Sequence, residues 1–123
     1  MAKRLRFSID GMGYHAVLQN HALAESLLTM CPFTVDFTRN GNHEYYASLP
    51  KKAAVKDCPT TTKGHRNGLY YFEGWNALSI VFRDCDTAPY QIHQIGDFEE
   101  DISANLEKKG EHIRIFCELE KED

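Results

Sequence analysis

The sequence predicts a mainly β fold in a single domain over residues 1–123, with two helices. Several short segments alternate apolar and polar residues, as strands do. Turn residues such as Gly, Asn and Pro separate these segments. The length of 123 residues is typical of one domain. These observations leave two architectures open, a closed antiparallel barrel and a β-rich α+β sheet.

The first predicted element is a hairpin. Residues 4–9 alternate between apolar and polar side chains, as a half-buried strand requires. The Asp-Gly-Met-Gly sequence at 10–13 is a turn signal, and residues 14–18 return as a second strand. The chain therefore begins with two paired strands.

A helix over about residues 21–31 follows the hairpin. Asn20 is its predicted N-cap, because an Asn side chain accepts hydrogen bonds from first-turn amides. Pro32 ends the helix, because proline disfavours helical geometry in the residue before it. Two short strands, 34–37 and 44–47, then flank a turn-rich stretch.

The centre of the chain is a long polar segment followed by strands. Residues 51–68 show no period, and loops of that length inside a compact domain are usually functional or mobile. A strand is predicted at 69–72, with a turn at Glu73–Gly74. The continuous apolar run at 78–82 indicates a buried strand.

The last third of the chain predicts a strand, a helix and a strand. The strand covers 91–95, and Gly96 closes it. Asp97 begins a capping-box sequence, which predicts a helix that continues until Gly110 stops it. Residues 113–119 alternate as a final strand. The charged residues at the C-terminal end are expected to be solvated.

Composition excludes several classes of function. Fourteen Lys and Arg against 18 Asp and Glu give a net charge of −4, which argues against nucleic-acid binding. No apolar run approaches the roughly 20 residues that span a bilayer, so we expect no membrane partner. The N-terminus alternates instead of forming an apolar signal segment, and the four cysteines form no C-x-x-C pair. An even number of cysteines is compatible with two disulfides in a secreted protein, but the missing signal segment favours reduced thiols and a cytoplasmic protein. The expected oligomeric state is a monomer or a homodimer.

Several segments resemble one known family in the same order along the chain. They are Cys31–Phe37 (CPFTVDF), His43–Pro50 (HEYYASLP), Tyr71 at its spacing before the strand 78–82, and Ile95-Gly96-Asp97. On these segments, residues 4–119 resemble the small bacterial cyclophilin-like proteins. The chain departs from that pattern at Asn67-Gly68, where relatives often have Gly-Asp, and any role of that acid is in doubt here.

The resemblance implies a closed eight-stranded antiparallel β-barrel, cyclophilin-like, with two capping α-helices. Members of the family are mostly of unknown function. True cyclophilins catalyse rotation about X-Pro bonds, using an arginine that donates a hydrogen bond to the prolyl nitrogen beside an apolar pocket. Arg66 and Arg83 are the candidate donors here, but the Gly-Gly-Asp element of cyclophilins is absent downstream. Since a fold does not determine an activity, a peptidyl-prolyl isomerase of reduced size is kept as the alternative hypothesis.

Aromatic residues suggest a ligand site, because many of them flank turns and the long loop. Tyr46, Tyr71 and Trp75 are predicted to line a barrel mouth, where ligand sites are common. Glu44 lies two residues before Tyr46, so both side chains face the same side of a strand. Its carboxylate either binds a cationic or amide ligand or bonds turn amides at 39–42.

The leading hypothesis is a non-enzymatic domain that binds a small molecule or a peptide in an aromatic pocket. A protein–protein interaction module is a further alternative. The six histidines lack metal-ligand spacing, and no G-x-S-x-G sequence is present, so we predict no metal, cofactor or catalytic residue. The predicted ligand-binding residues are Phe37, Glu44, Tyr46, Arg66, Tyr71 and Trp75.

Overall fold

Eight of the ten strands close into an antiparallel barrel in the computed structural model, which describes residues 3–120. The strands are β1 (Arg4–Ile9), β2 (Met12–Leu18), β3 (Phe33–Asn40), β4 (Glu44–Ser48), β5 (Lys63–Gly64), β6 (Gly68–Phe72), β7 (Ala77–Val81), β8 (Cys85–Asp86), β9 (His93–Phe98) and β10 (His112–Leu119). Around the barrel the order is β1-β10-β3-β4-β7-β6-β9-β2, and β5 pairs only with β8. The predicted closed eight-stranded barrel is confirmed.

The two predicted helices are α1 (Ala22–Met30) and α2 (Ile102–Leu106), and a 3₁₀ turn covers Glu73–Trp75. Both helices join the barrel core through buried apolar side chains, among them Leu27 of α1 and Leu106 of α2. Neither helix of the described residues is long and apolar enough to cross a membrane.

Side-chain alternation fills the barrel interior as the sequence predicts. Leu5, Phe7 and Ile9 of β1 are buried, and in β10 so are Ile115 and Cys117. The alternation fails at the end of β10. There Leu119 is 54% exposed although it has the parity of the core residues. Residues 121–123 of the charged C-terminal segment lie outside the described part of the chain.

Strand β7 is buried along its whole length, which explains its unbroken apolar sequence. Leu78 and Ile80 point into the barrel core. On the outer face, Val81 packs with Tyr70 and Ile92 in a second, smaller apolar cluster. The barrel wall at β6 and β7 is therefore covered from outside by the segment before β9.

The N-cap of α1 differs from the prediction. His21, not Asn20, caps the helix: its Nδ1 accepts the amide hydrogen of Ala24 at 3.1 Å. The Nε2 of His21 then donates to the carbonyl of Gln94 at 2.9 Å. His21 therefore caps the helix instead of Asn20, because its ring also makes a long-range hydrogen bond to β9.

The predicted boundary between β9 and α2 was also wrong. Strand β9 continues through Gly96 to Phe98, because residues 96–98 pair with β2 and close the barrel. A Cβ atom at Gly96 would lie 2.2 Å from the carbonyl oxygen of Val17. The glycine permits this close strand approach instead of ending the strand. The N-cap of the shorter α2 is Asp101, whose carboxylate accepts from Ala104 N.

The long polar segment at 51–68 contains the short strand β5. Lys63 and Gly64 of β5 pair with Asp86 and Cys85 of β8. An isolated bridge joins Thr61 to Ile92. The segment is therefore tied to the loop that precedes β9.

Candidate functional site

A groove of about 380 Å³ lies on the outer face of the barrel, over β4, β6 and β7. We call it the outer groove. The lining includes the 3₁₀ turn, through Trp75, and the loop before β9, through Thr87 and Tyr90. The lining residues are Asn40, His43, Glu44, Tyr46, Phe72, Trp75, Ala77, Ser79, Thr87, Tyr90 and Ile92.

Strand register places the floor residues of the outer groove side by side. Tyr46 of β4 is opposite Ser79 of β7, and Phe72 of β6 is opposite Ala77 of β7. Opposed residues on neighbouring strands point to the same face of a sheet. Their neighbours Tyr45 and Ile80 have the opposite parity and are fully buried in the barrel.

Four aromatic rings form a continuous row along the outer groove, which we call the aromatic row. Tyr46 and Trp75 have ring centroids 5.8 Å apart, and Trp75 and Phe72 are 5.5 Å apart. Phe72 and Tyr90 follow at 5.9 Å, nearly perpendicular to each other. These separations lie within the range of favourable aromatic pairs. Trp75 is 65% exposed and Tyr90 is 63% exposed, so much of the row faces solvent.

Asn76 fixes the position of Trp75 by ending the 3₁₀ turn in a left-handed conformation, at φ 47°. Its amide group donates to the carbonyl of Lys51 at 2.9 Å. Its Oδ1 accepts from the Tyr71 hydroxyl at 2.5 Å and from Ala53 N at 3.3 Å. The 3₁₀ turn is therefore anchored both to the barrel interior and to the loop after β4.

The loop before β9 also lines the outer groove and is anchored to other segments. Thr87 N donates to Thr62 O at 2.7 Å, and the Thr87 hydroxyl donates to Tyr90 O at 2.7 Å. The bridge between Thr61 and Ile92 holds the end of the loop. The 3₁₀ turn and the loop before β9 are thus both attached to other parts of the domain.

Glu44 provides the polar end of the outer groove. Its Oε1 accepts from the Ser79 hydroxyl at 3.2 Å, and its Oε2 lies 3.0 Å from His43 Nε2. The side chain is only 15% exposed. The described contacts of the carboxylate are these side chains, not the turn amides at 39–42. Burial and, next, the charge of Glu44 raise the pKa of the nearby Cys85 thiol, so this thiol is neutral at pH 7.

The outer groove brings together three of the six predicted site residues: Glu44, Tyr46 and Trp75. Phe37 and Tyr71 are fully buried in the barrel core, so the prediction that they line a mouth is corrected. Burial raises the pKa of Tyr71. Its hydroxyl does not line the groove but donates a hydrogen bond to Asn76, which follows Trp75 in the chain.

Arg66 lies outside the outer groove and ties the loop before β6 to α2. Its Nη2 donates to both carboxylate oxygens of Asp101 at 3.0 Å, and its Nη1 donates to Glu107 at 3.2 Å. The hydrogen bond from Arg66 holds the pKa of Asp101 below its usual value. Arg83 also pairs with Glu107, at 3.3 Å. Neither candidate isomerase donor is among the residues that line the groove.

The prediction missed four residues of the outer groove that contribute chemistry: His43, Phe72, Ser79 and Tyr90. Ser79 lies in the apolar run 78–82, which predicts a buried strand and gives no sign of a polar site residue. The register that places it opposite Tyr46 is long-range information that periodicity does not contain. Over residues 3–120, no group of three or more His, Cys, Asp and Glu side chains could hold a metal ion.

Comparison with known proteins supports the fold. A family model described as the cyclophilin-like family matches residues 7–117. The structure is also similar to the solution structure of a hypothetical protein from Archaeoglobus fulgidus, with a TM-score of 0.73 and 12% sequence identity. That similarity covers 97% of this chain and 95% of the other, and at this identity it shows the fold alone. No curated protein matches the chain.

Proposed function

The chain belongs to the cyclophilin-like family, and on that fold we propose that it is a non-enzymatic binding domain that holds a small molecule or a short peptide segment in the outer groove. The aromatic row supports this proposal more than any other observation. Trp75 and Tyr90 are each about two-thirds exposed, yet they stand in contact with a ring network beside a mostly buried carboxylate.

Concavity supports a ligand site over a chance exposure of single apolar residues. Isolated exposed apolar side chains are normal on protein surfaces. Here the exposed rings converge on one groove of about 380 Å³ with few polar groups at one end. Ligand sites have this form: a largely apolar cleft of about 300–1,000 Å³ with a small number of placed polar groups.

The exposed rings also favour a second candidate, an interaction surface for a protein partner on the outer barrel face. Trp and Tyr are enriched at protein interfaces. A stable interface, however, needs about 800 Å² on each partner. The exposed aromatics Trp75 and Tyr90 line a groove of about 380 Å³, a volume in the range of small-ligand sites. The small ligand is therefore the first choice.

A direct test uses Trp75, the single tryptophan of the chain, as a built-in probe. A library of small aromatic compounds and short peptides, including X-Pro peptides, is titrated into ¹⁵N-labelled protein. Tryptophan fluorescence and amide shifts are followed together. A ligand of the outer groove is expected to shift the Trp75 emission to shorter wavelength, because it removes water from an exposed indole. Amide shifts are expected in β4 and β7.

Matched variants localise the binding. Trp75→Ala and Tyr46→Ala are expected to weaken the identified ligand at least tenfold, since a buried aromatic contact contributes about 1.5 kcal/mol or more. Met12→Ala is the control, because Met12 is 58% exposed and lies outside the groove. Unchanged affinity in both groove variants would refute the proposed site. Exchange cross-peaks on X-Pro peptides that disappear in Arg66→Ala would instead support the isomerase alternative.

A further inference from the structure

Glu44 is the acidic side chain of the outer groove. It is the one carboxylate among the described lining residues, and that lining contains neither Lys nor Arg. Only 15% of its side-chain surface is exposed. A ligand that lies over β4 and β7 therefore removes the remaining water from the carboxylate. Removing water from a carboxylate is costly unless charge or hydrogen-bond donors replace it.

The hydrogen-bond directions around Glu44 also call for donors on the ligand. Ser79 has a single hydroxyl hydrogen and gives it to Glu44 Oε1. The Ser79 oxygen is then left with accepting capacity only. A carboxylate also accepts only. His43 Nε2 lies 3.0 Å from Oε2 and takes one acceptor position of the carboxylate, whose two oxygens together have about four. The remaining acceptor positions of Glu44 lie next to the Ser79 oxygen, and an ammonium group, with three donors and no acceptor, complements them.

The aromatic row begins next to this acceptor pair. Glu44 and Tyr46 are two residues apart on β4, a separation of about 7 Å along a strand. Tyr46 leads directly to Trp75, with centroids 5.8 Å apart. The faces of such rings attract cations and pack against apolar groups. The rings and the Glu44 carboxylate therefore both favour a cationic ligand.

We propose that the outer groove binds an organic cation: a primary ammonium group at Glu44 and Ser79, attached to an apolar or aromatic body that lies along Tyr46 and Trp75. This inference rests on the proposed function and specifies its ligand class. The ammonium comes either from a small amine or from a lysine side chain of a peptide, because the recognising chemistry is the same.

A charge series tests the ligand class at pH 8, above the usual range of imidazole titration. The probes are phenethylamine, 2-phenylethanol and 3-phenylpropionate, which share an aromatic body and differ in charge. The peptide Ac-Phe-Lys-amide and its acetyl-lysine form separate the peptide source from the small amine. Binding is measured by amide shifts and Trp75 fluorescence. Phenethylamine is expected to bind about ten- to a hundredfold more tightly than the alcohol, because bonds to charged groups contribute about 1.5–3 kcal/mol.

The variant Glu44→Gln separates the charge effect from the groove itself. It is expected to reduce amine affinity to that of the alcohol while the alcohol still binds. Glu111→Gln removes an equivalent charge from a side chain that is 81% exposed and lies outside the groove, and it should change neither. Equal binding of amine and alcohol in the native chain, abolished by Trp75→Ala, would overturn the cation inference and leave the proposed function standing. If no probe perturbs the groove, the cation inference is wrong. The proposed function fails with it only if the whole library also leaves the groove residues unperturbed.

Discussion

Gly96 is the glycine at which an added methyl group should lower the free energy of unfolding the most. Its Cβ would lie 2.2 Å from Val17 O and 3.1 Å from Leu18 Cα, both atoms of the backbone of β2. Backbone atoms inside a ladder cannot move aside as a flexible side chain can. We expect Gly96→Ala to lower the free energy of unfolding by about 3 kcal/mol, the upper range for overpacking. Urea denaturation followed by circular dichroism measures this change.

Gly110→Ala is the matched control for that substitution. A Cβ at Gly110 meets no atom within 4 Å. Its φ is also outside the positive range that favours glycine. The free energy of unfolding should therefore stay the same or rise by up to about 1 kcal/mol, because alanine restricts the unfolded chain. Equal losses in the two variants would show that the β2–β9 approach is not the cause.

Single residues of the site were predictable where polarity contrast reveals which face they occupy. Glu44 and Tyr46 alternate with buried Tyr45, and their spacing places them on one face. Phe37 alternates with Asp36 and Thr38, so its sequence already indicated the barrel interior. Tyr71 lies within a run of three aromatic residues, 70–72, where no contrast exists. Its inward direction follows only from pairing with β7 and β9.

At the scale of elements, α1 offers a choice between two neighbouring caps. The sequence favours Asn20, whereas the structure uses His21 with bonds to Ala24 N and Gln94 O. We expect His21→Ala to lower the free energy of unfolding by about 1–2 kcal/mol, from the lost cap and the lost bond to β9. Asn20→Ala, at an exposed position, should change it by less than about 0.5 kcal/mol.

Thermal and urea unfolding of these two variants decide between the caps. His21→Asn refines the result, because Asn retains the capping acceptor but cannot also reach Gln94 as the imidazole does. It should recover part of the loss. A larger loss in Asn20→Ala than in His21→Ala would contradict the structural assignment.

The error at α2 has a physical origin in competing local signals. Asp97 and Asp101 are both acceptable N-caps, and acids lie between them. Local capping energies of about 1 kcal/mol cannot choose between such positions. Closure of the barrel decides, because Gly96–Phe98 must pair with Ala16–Leu18 to complete it. Long-range pairing therefore moves the start of the helix to Asp101.

At the scale of the whole molecule, strand periodicity could not distinguish a barrel from an open sheet. The difference lies in one ladder, between β2 and β9, whose residues are about 80 positions apart in the chain. Alternation within each strand is the same in both architectures. The family resemblance supplied the closure that the local pattern lacked. It did not supply the groove, which depends on loops packed outside β4, β6 and β7.

The barrel consists of two four-stranded halves joined by short ladders. One half is β2-β1-β10-β3, and the other is β4-β7-β6-β9. The halves meet where Thr38–Asn40 pairs with Glu44–Tyr46 and where Ala16–Leu18 pairs with Gly96–Phe98. We call these two ladders the seams. The strand residues that line the outer groove lie in β4, β6 and β7 of the second half, with the exception of Asn40 at the end of β3.

Hydrogen exchange should reveal these halves. Amides bonded across the seams are expected to exchange at least tenfold faster than amides of the β4–β7–β6 and β1–β10–β3 ladders, because fewer bonds must open there. Exchange measured by NMR under native conditions gives both sets in one experiment. A ligand in the outer groove should slow exchange in β4 and β7 and leave the β2–β9 seam unchanged. If seam amides exchange only at the global unfolding rate, the barrel opens as one unit and the two-half description is wrong.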